Sequence, residues 1–466
     1  MSKEKNYIED YLDKIKNYLE TKDLDYYDIR IDDNKSTNII IDKKDIKEII
    51  ELENKGVGIR IYKNKKLGFC STNIFENYKK IIDKCIEDTK KQNKTTLLSN
   101  FSKNKNKFIV KHKKFENKDI QSKIKELLEL NKELLKRNIK EFKLLETTLR
   151  YSEITKRNYF LSPYAEIYEE KPFFLLYNFI TGSKDNNIEN ALSRIGYLAG
   201  LEKRNYNSEK EIIEENILQL DELLNSKPCP ITTSDIILSP EVSDLLSHEA
   251  IGHSLEADAV IRNESVLKKG MTLTKNHEIN ITDNPEIKKF GFYKYDQEGI
   301  VAKKRELIKK GVVNDYLLDL ESSTKLKLKP NGAARAESYA QIPIPRMSNT
   351  YFETGKDKYK DLLKDFNGYL LKGFSGGQTY PNIGTFMFGI KQAYKYKNGE
   401  IVDKYKQASI SGNIVDYLKN IEGVSNKVGK DLNIGFCGKG GQTAFVGGKN
   451  PYLKIKNIVV GGTKHE

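Results

Sequence analysis

The 466-residue chain is poor in cysteine (four) and histidine (five), and no apolar run approaches the roughly 18–20 residues a membrane-spanning helix needs. Each scarcity excludes something. Cys70, Cys85, Cys229 and Cys437 are too scattered to form the disulfide framework of a small secreted domain. The N-terminus, Met1-Ser2-Lys3-Glu4-Lys5-Asn6, carries both signs of charge and no apolar core follows it, which argues against a secretory signal. These absences predict a cytoplasmic protein without a membrane segment. Apolar residues are only 38% of the chain, but 27 tyrosines and 19 phenylalanines supply bulk for packed cores. The length predicts more than one domain.

The formal charge is +14, from 80 Lys and Arg against 66 Asp and Glu. Nucleic-acid surfaces concentrate positive charge in a patch and favour arginine for its forked contacts. Here the excess is mostly lysine, spread along the chain in segments such as Lys103–Lys107 and Lys111–Lys114. No nucleic-acid partner is expected, although a positive surface can steer acidic peptides.

Two textures divide the sequence. In the first half, Ile8, Tyr11, Leu12, Ile15 and Leu19 fall at helical spacing over 7–20. Strands are expected at 25–33 and 38–41, a hairpin over 56–72 turning at 63–66, and helices at 74–91, 119–137 and 207–226. The lysine- and asparagine-rich 92–118 reads as a polar link, and 142–183 as an antiparallel meander. Lys227-Pro228-Cys229-Pro230 can neither continue a helix nor supply many ladder bonds, so a boundary is placed there. The second half predicts strands at 235–238, 290–303, 311–320, 368–374, 384–396, 401–410 and 453–460, with a short helix at 356–365. The expected fold is therefore α+β: a mixed helix and antiparallel-sheet domain over 1–226, then a mainly antiparallel or barrel-like domain over 227–466 that carries the motif described next.

That motif is His248-Glu249-Ala250-Ile251-Gly252-His253. Neutral imidazole is a common zinc ligand, and a glutamate beside a metal-activated water is a natural general base. The familiar spacing is H-E-x-x-H on a helix; here one residue more intervenes. At about 100° per residue, positions i and i+5 of an α-helix lie about 140° apart, too far for both rings to meet one metal. Gly252 can relax the backbone, or a π-bulge can insert the extra residue into the turn. Pro240 and Glu241 mark the helix start. A catalytic zinc site with two histidines needs a third protein ligand. Cys437, in the small-residue run Gly435-Phe436-Cys437-Gly438-Lys439, is the leading candidate, with Lys439 placed to keep its thiol ionised. Glu256 and His277 are the alternatives.

Several ordered segments resemble the TldD/PmbA metallopeptidase family. They are HEAIGHSLEAD (His248–Asp258), DQEG (Asp296–Gly299), AESYAQIPIPRMSNTY (Ala336–Tyr351), SGGQ (Ser375–Gln378), CGKGGQTAFVGG (Cys437–Gly448) and VVGGT (Val459–Thr463). GVGIRIY (Gly56–Tyr62) and GFCST (Gly68–Thr72) add to them. The resemblance runs from about residue 50 to the C-terminus and is weakest between about 90 and 220. It implies that His248, His253 and Cys437 bind one zinc ion per chain and that Glu249 is the catalytic base. Because the family's TldE (PmbA) branch lacks the HExxxH motif, it also implies the catalytic branch. Gln297, Ser254 and Ala257 depart from the family pattern and bear on substrate contacts and local backbone shape.

The resulting expectation is a zinc peptidase acting on unfolded or short peptides, working as a homodimer or with a non-catalytic TldE-like paralogue. Arg346, Asn349 and Tyr339 are the candidate peptide contacts, with internal pairing or packing as the competing reading for Arg346 and Tyr339. The alternative function is a regulatory, peptide-binding role of the gyrase-modulator kind with a purely structural metal. A metal-dependent hydrolase of another amide is a third reading.

Overall fold

Alternation of apolar and polar residues, interrupted by tight turns, builds two large sheets in this chain. A computed structural model describes residues 2–95, 98, 99, 101–136, 142–274, 279–429 and 433–462. The first sheet has seven strands. Its backbone is the order Lys66–Thr72, Asp45–Lys63, Tyr26–Asp42, Lys143–Leu161, Ala165–Lys184, Asn104–Ile109, with Asn187–Tyr197 also on Ala165–Lys184. The two short strands expected at 25–33 and 38–41 are one continuous strand, Tyr26–Asp42, paired on both sides. The hairpin after it turns through Asn64 and Lys65, both at positive φ, as a two-residue turn that follows strand twist requires.

Helix Ser2–Glu20 buries Ile8, Tyr11, Ile15 and Leu19 against Ile29, Ile31, Ile59 and Ile61 at one end of this sheet. Helices Ile120–Lys136 and Tyr206–Asn225 cover the other end, turning Leu127, Leu130, Ile213 and Leu220 onto Ile39, Leu149 and Ile180. Asn205 caps the latter helix by accepting from the backbone N–H groups of Asn207 and Ser208. The supposed polar link contains a strand, Asn104–Ile109, parallel to Ala165–Lys184. Its lysines and asparagines sit on a sheet edge, where charged residues are tolerated.

The second half holds a closed five-strand barrel: Pro451–Gly462, Thr232–Leu238, Gly368–Tyr380, Thr385–Lys397 and Glu400–Asn413. Closure comes from Ala408, Ser409 and Ile410 pairing with Gly462, Gly461 and Val460. Ile236, Leu371, Phe388, Ile390, Ile410 and Leu453 fill it, and the motif helix packs on the same core through Val242, Leu246 and Ile251. The fold class is α+β, as the sequence texture implies.

Two expected strands fail. Residues 290–303 form turns, and of 311–320 only Val312–Val313 is strand. The apolar spacing at 290–303 has another cause: Phe290, Phe292, Tyr293 and Tyr295 are buried plugs. Phe290 meets Phe173 of the first sheet edge-on at 5.4 Å. The Asp296–Gly299 turn fastens the halves together, with Glu298 paired to Arg60 at 2.7 Å. Among the described residues no helix is long and apolar enough to cross a membrane.

Candidate metal centre

Pro240, with Ser239 as the N-cap residue, opens an α-helix that runs to Leu245 and then widens into a π-helix over Leu246–Gly252. The wider turn solves the spacing problem posed by HEAIGH. It brings His248 and His253 onto one face, their rings 5.3 Å apart and nearly perpendicular. Met347 packs closely on Gly252 at the bend: a Cβ there would lie 1.9 Å from Met347 Sδ, so Met347 or the turn would have to shift.

Cys437 approaches from the far end of the chain. It sits on a strand, Asn433–Lys439, rather than in the loop its glycines suggest, and faces Ala444 of the partner strand Gln442–Gly448. Gly440 and Gly441, both at positive φ, make the two-residue turn between them. Cys437 Sγ lies 3.3 Å from His253 Nε2. The ligand atoms of His248, His253 and Cys437 all fall within 4.8 Å of one another.

This donor set fits a zinc ion. Glu256, 1% exposed, meets His253 Nδ1 at 2.9 Å, which orients the ring so that Nε2 faces Cys437. The same carboxylate is held by Lys439 Nζ at 3.1 Å and has Arg346 Nε at 3.8 Å. Glu256 thus sits behind His253 and positions it. His277 lies outside the described residues. Burial opposes a charge on the Cys437 thiol, but His248 and His253 beside it outweigh that and bring it down to about 5. Burial likewise opposes protonation of His253, yet Glu256 and Cys437 push it well above the usual histidine value. A cation held by these three groups would take the place of imidazole protons and be partly neutralised by the thiolate. Lys439 does not play the part expected of it: its ammonium is committed to Asp258 at 2.7 Å, to Glu256 and to the Pro345 carbonyl.

Glu249, about a third exposed, stands at the mouth with Oε2 3.7 Å from His253 Nε2. The expected peptide contacts behave differently. Arg346 is 1% exposed and donates to the carbonyls of Gln442 (2.9 Å) and Cys437, so it braces the cysteine hairpin from inside. Asn349 is 2% exposed; its amide donates to Asn284 and Ile287 carbonyls and accepts from Gly291 N–H. Neither is exposed to solvent, because the Pro343–Asn349 run they belong to is largely buried. Tyr339 seats its ring on Gly56 of the first sheet, and its N–H donates to Asp32 at 2.6 Å. The bracing role of Arg346 needs the hairpin's position, which nothing in its local sequence reveals.

Comparison with known proteins places this chain in a metallopeptidase family. The sequence matches the PmbA/TldA metallopeptidase C-terminal domain over residues 232–462 and the PmbA/TldA metallopeptidase domain 1 over 27–92. A metalloprotease of Methanocaldococcus jannaschii is 32% identical over 452 residues, covering 94% of this chain and 96% of its own. A zinc metalloprotease TldD homolog of Saccharolobus solfataricus is 36% identical over 230 residues, 49% of this chain and 51% of its own. Among solved structures, TldE from Thermococcus kodakarensis superposes with a TM-score of 0.77 at 17% identity, covering 98% of this chain and all of the other. A protein of Thermotoga maritima, described as a candidate modulator of a DNA gyrase, superposes with a TM-score of 0.78 at 18% identity, covering 97% and 100%. The chain belongs to the PmbA/TldA metallopeptidase family.

Proposed function

We propose that this protein is a zinc peptidase in which His248, His253 and Cys437 hold the metal and Glu249 is the general base, acting on unfolded or short peptides. The observation that carries this reading is the convergence of two imidazoles and a thiolate from opposite ends of the second half, with a carboxylate at their open side. Three protein ligands leave one coordination position for water or substrate, whereas structural zinc sites usually fill all four.

When bound, the zinc ion would supply Lewis acidity, lowering the pKa of water and polarising the scissile carbonyl. Glu249 takes the proton of the attacking water and returns it to the leaving nitrogen. Glu256 keeps the His253 ring from rotating, and Arg346 keeps the Cys437 strand in place. The working unit is a dimer with a second copy or with a non-catalytic TldE-like paralogue. The likeness to a protein named TldE supports a shared fold on which such pairing could be built.

Glu249→Ala tests the assignment directly. Peptide cleavage should fall by ~10²–10⁴-fold while zinc content and folding are retained, the range that positioned proton transfer contributes. Undiminished cleavage would remove Glu249 from the chemistry. Absence of cleavage in the zinc-loaded wild type, across a library of unfolded peptides, would favour the regulatory reading.

A further inference from the structure

The cysteine hairpin has two faces, because side chains alternate along a strand. Cys437 and Ala444 point to the metal centre, while Phe436 and Phe445 point the other way, their rings 5.0 Å apart. On the Phe445 side, a cleft of about 790 Å³, including its open mouth, lies between the two halves of the molecule. Phe173, Phe292, Tyr293 and Phe445 give it aromatic walls.

Its charged groups are unequally satisfied. Glu169 holds Lys171 at 2.6 Å and accepts from the Lys294 and Tyr295 N–H groups. Asp32 accepts from Asn158 and from Tyr339 N–H, and Glu337 from Thr443 N–H at 2.7 Å. Asp296 accepts from three backbone N–H groups, those of Glu298, Ile300 and Ala334. Arg30 donates to the Gln341 carbonyl and has a carboxylate beside it, Asp28 Oδ1 at 4.0 Å from Nε, although Nε and Nη1 make no hydrogen bond among the described residues. Two cations are left over. Lys156 stands over the Phe445 ring with Nζ 3.9 Å from its centre, and no carboxylate lies within 4.0 Å of it among the described residues. Arg335 lies over Tyr293 at 5.0 Å and, among the described residues, gives one hydrogen bond, to the Met347 carbonyl, and has no carboxylate partner.

Leaving an ammonium and a guanidinium half-buried without a carboxylate partner is costly, and an anion bound in the cleft offsets that cost. Burial lowers both, the Lys156 ammonium to about 8, and Arg335 adds repulsion to it. Bidentate hydrogen bonding by Arg335 and a point charge from Lys156 suit a planar carboxylate, and the aromatic walls suit an apolar body beside it.

We propose that this cleft binds a carboxylate carried on an aromatic or branched apolar body, the chemistry of a peptide's C-terminal residue, with Lys156 and Arg335 as its recognition residues. The peptide source rests on the peptidase reading; the carboxylate chemistry does not.

The test is calorimetric titration of zinc-loaded Glu249→Ala protein with N-acetyl-phenylalanine, its amide, and N-acetyl-glutamate diamide-blocked at the main chain so that only the side-chain carboxylate is free. The acetylated acid should bind at least ~10-fold tighter than its amide, a difference worth one charge-assisted contact. Lys156→Met and Arg335→Gln should each remove at least ~10-fold of that affinity, while Lys156→Arg, which keeps the charge, retains it within a few-fold. Glutamate-derived binding as tight as the phenylalanine acid would assign the site to acidic side chains instead of chain ends. Equal binding of acid and amide would overturn the proposal. So would acid binding that survives Lys156→Met but disappears when zinc is stripped, since that places the carboxylate at the metal. None of these outcomes depends on cleavage, so failure of the peptidase reading shows separately, in the wild-type assay.

Discussion

At the scale of single residues, Cys437 is the most informative group. Its thiol is buried, which alone would keep it protonated, and only the two histidines reverse that. In the metal-free protein its thiolate should therefore titrate near 5. Folded pKa below unfolded pKa means that this group favours folding above the depressed value, and that contribution is lost as the pH falls through about 5. The difference in ultraviolet thiolate absorbance between wild type and Cys437→Ser, followed from pH 4 to 9, measures it. A midpoint in the ordinary thiol range would contradict the arrangement. The histidines of the cluster that the structure brings together were legible in the sequence because histidine is scarce and HEAIGH concentrates two of five within six positions. Glu256 was legible only as an acid near the motif. Which ring nitrogen it faces depends on the chain turning back after His253, and no spacing rule encodes that.

At the scale of elements, the spacing of His248 and His253 called for a helix distortion, and the π-turn over Leu246–Gly252 supplies it. The widened turn also has a close neighbour: Met347 packs on Gly252, leaving no room for a Cβ there. Gly252→Ala should push Met347 aside or shift the turn, costing ~1–3 kcal/mol as overpacking does. Zinc affinity should fall with it, because His253 is the next residue. Thermal unfolding and competitive zinc titration check both, and wild-type affinity in that variant would show that the bend does not depend on the close contact. The elements that escaped sequence reading share a cause. Asn104–Ile109 alternates charged and polar residues on an edge, and the Cys437 strand is punctuated by glycines, so neither shows the usual hydrophobic period. Conversely, 290–303 shows strand-like apolar residues that are buried by tertiary contact rather than by pairing.

At the scale of the whole molecule, the first sheet and the barrel half are joined through specific, long-range contacts. Arg60 reaches Glu298, Asn104 donates to the Gly299 carbonyl, and the Tyr339 segment lies on the Gly56–Gly58 stretch of a central strand. A Cβ at Gly58 would sit 1.9 Å from the Tyr339 carbonyl oxygen, a backbone atom with nowhere to turn. Gly58→Ala should therefore cost the upper part of the ~1–3 kcal/mol expected of overpacking and loosen this junction. Hydrogen exchange should quicken at the N–H of Tyr339, which is bonded to Asp32. Unchanged protection there would mean that the halves are held elsewhere. The strand-rich texture of the second half made the α+β class and its barrel legible, but the contacts that join the halves connect residues about 120 to 310 positions apart and could not be read locally.

The measurement that tests the account most directly is zinc content per chain, by mass spectrometry, for wild type, His253→Ala and Cys437→Ser. About one zinc in the wild type, lost in both variants while folding persists, is the predicted result for a three-ligand centre. Full zinc in Cys437→Ser, or none in the wild type after loading, would contradict it.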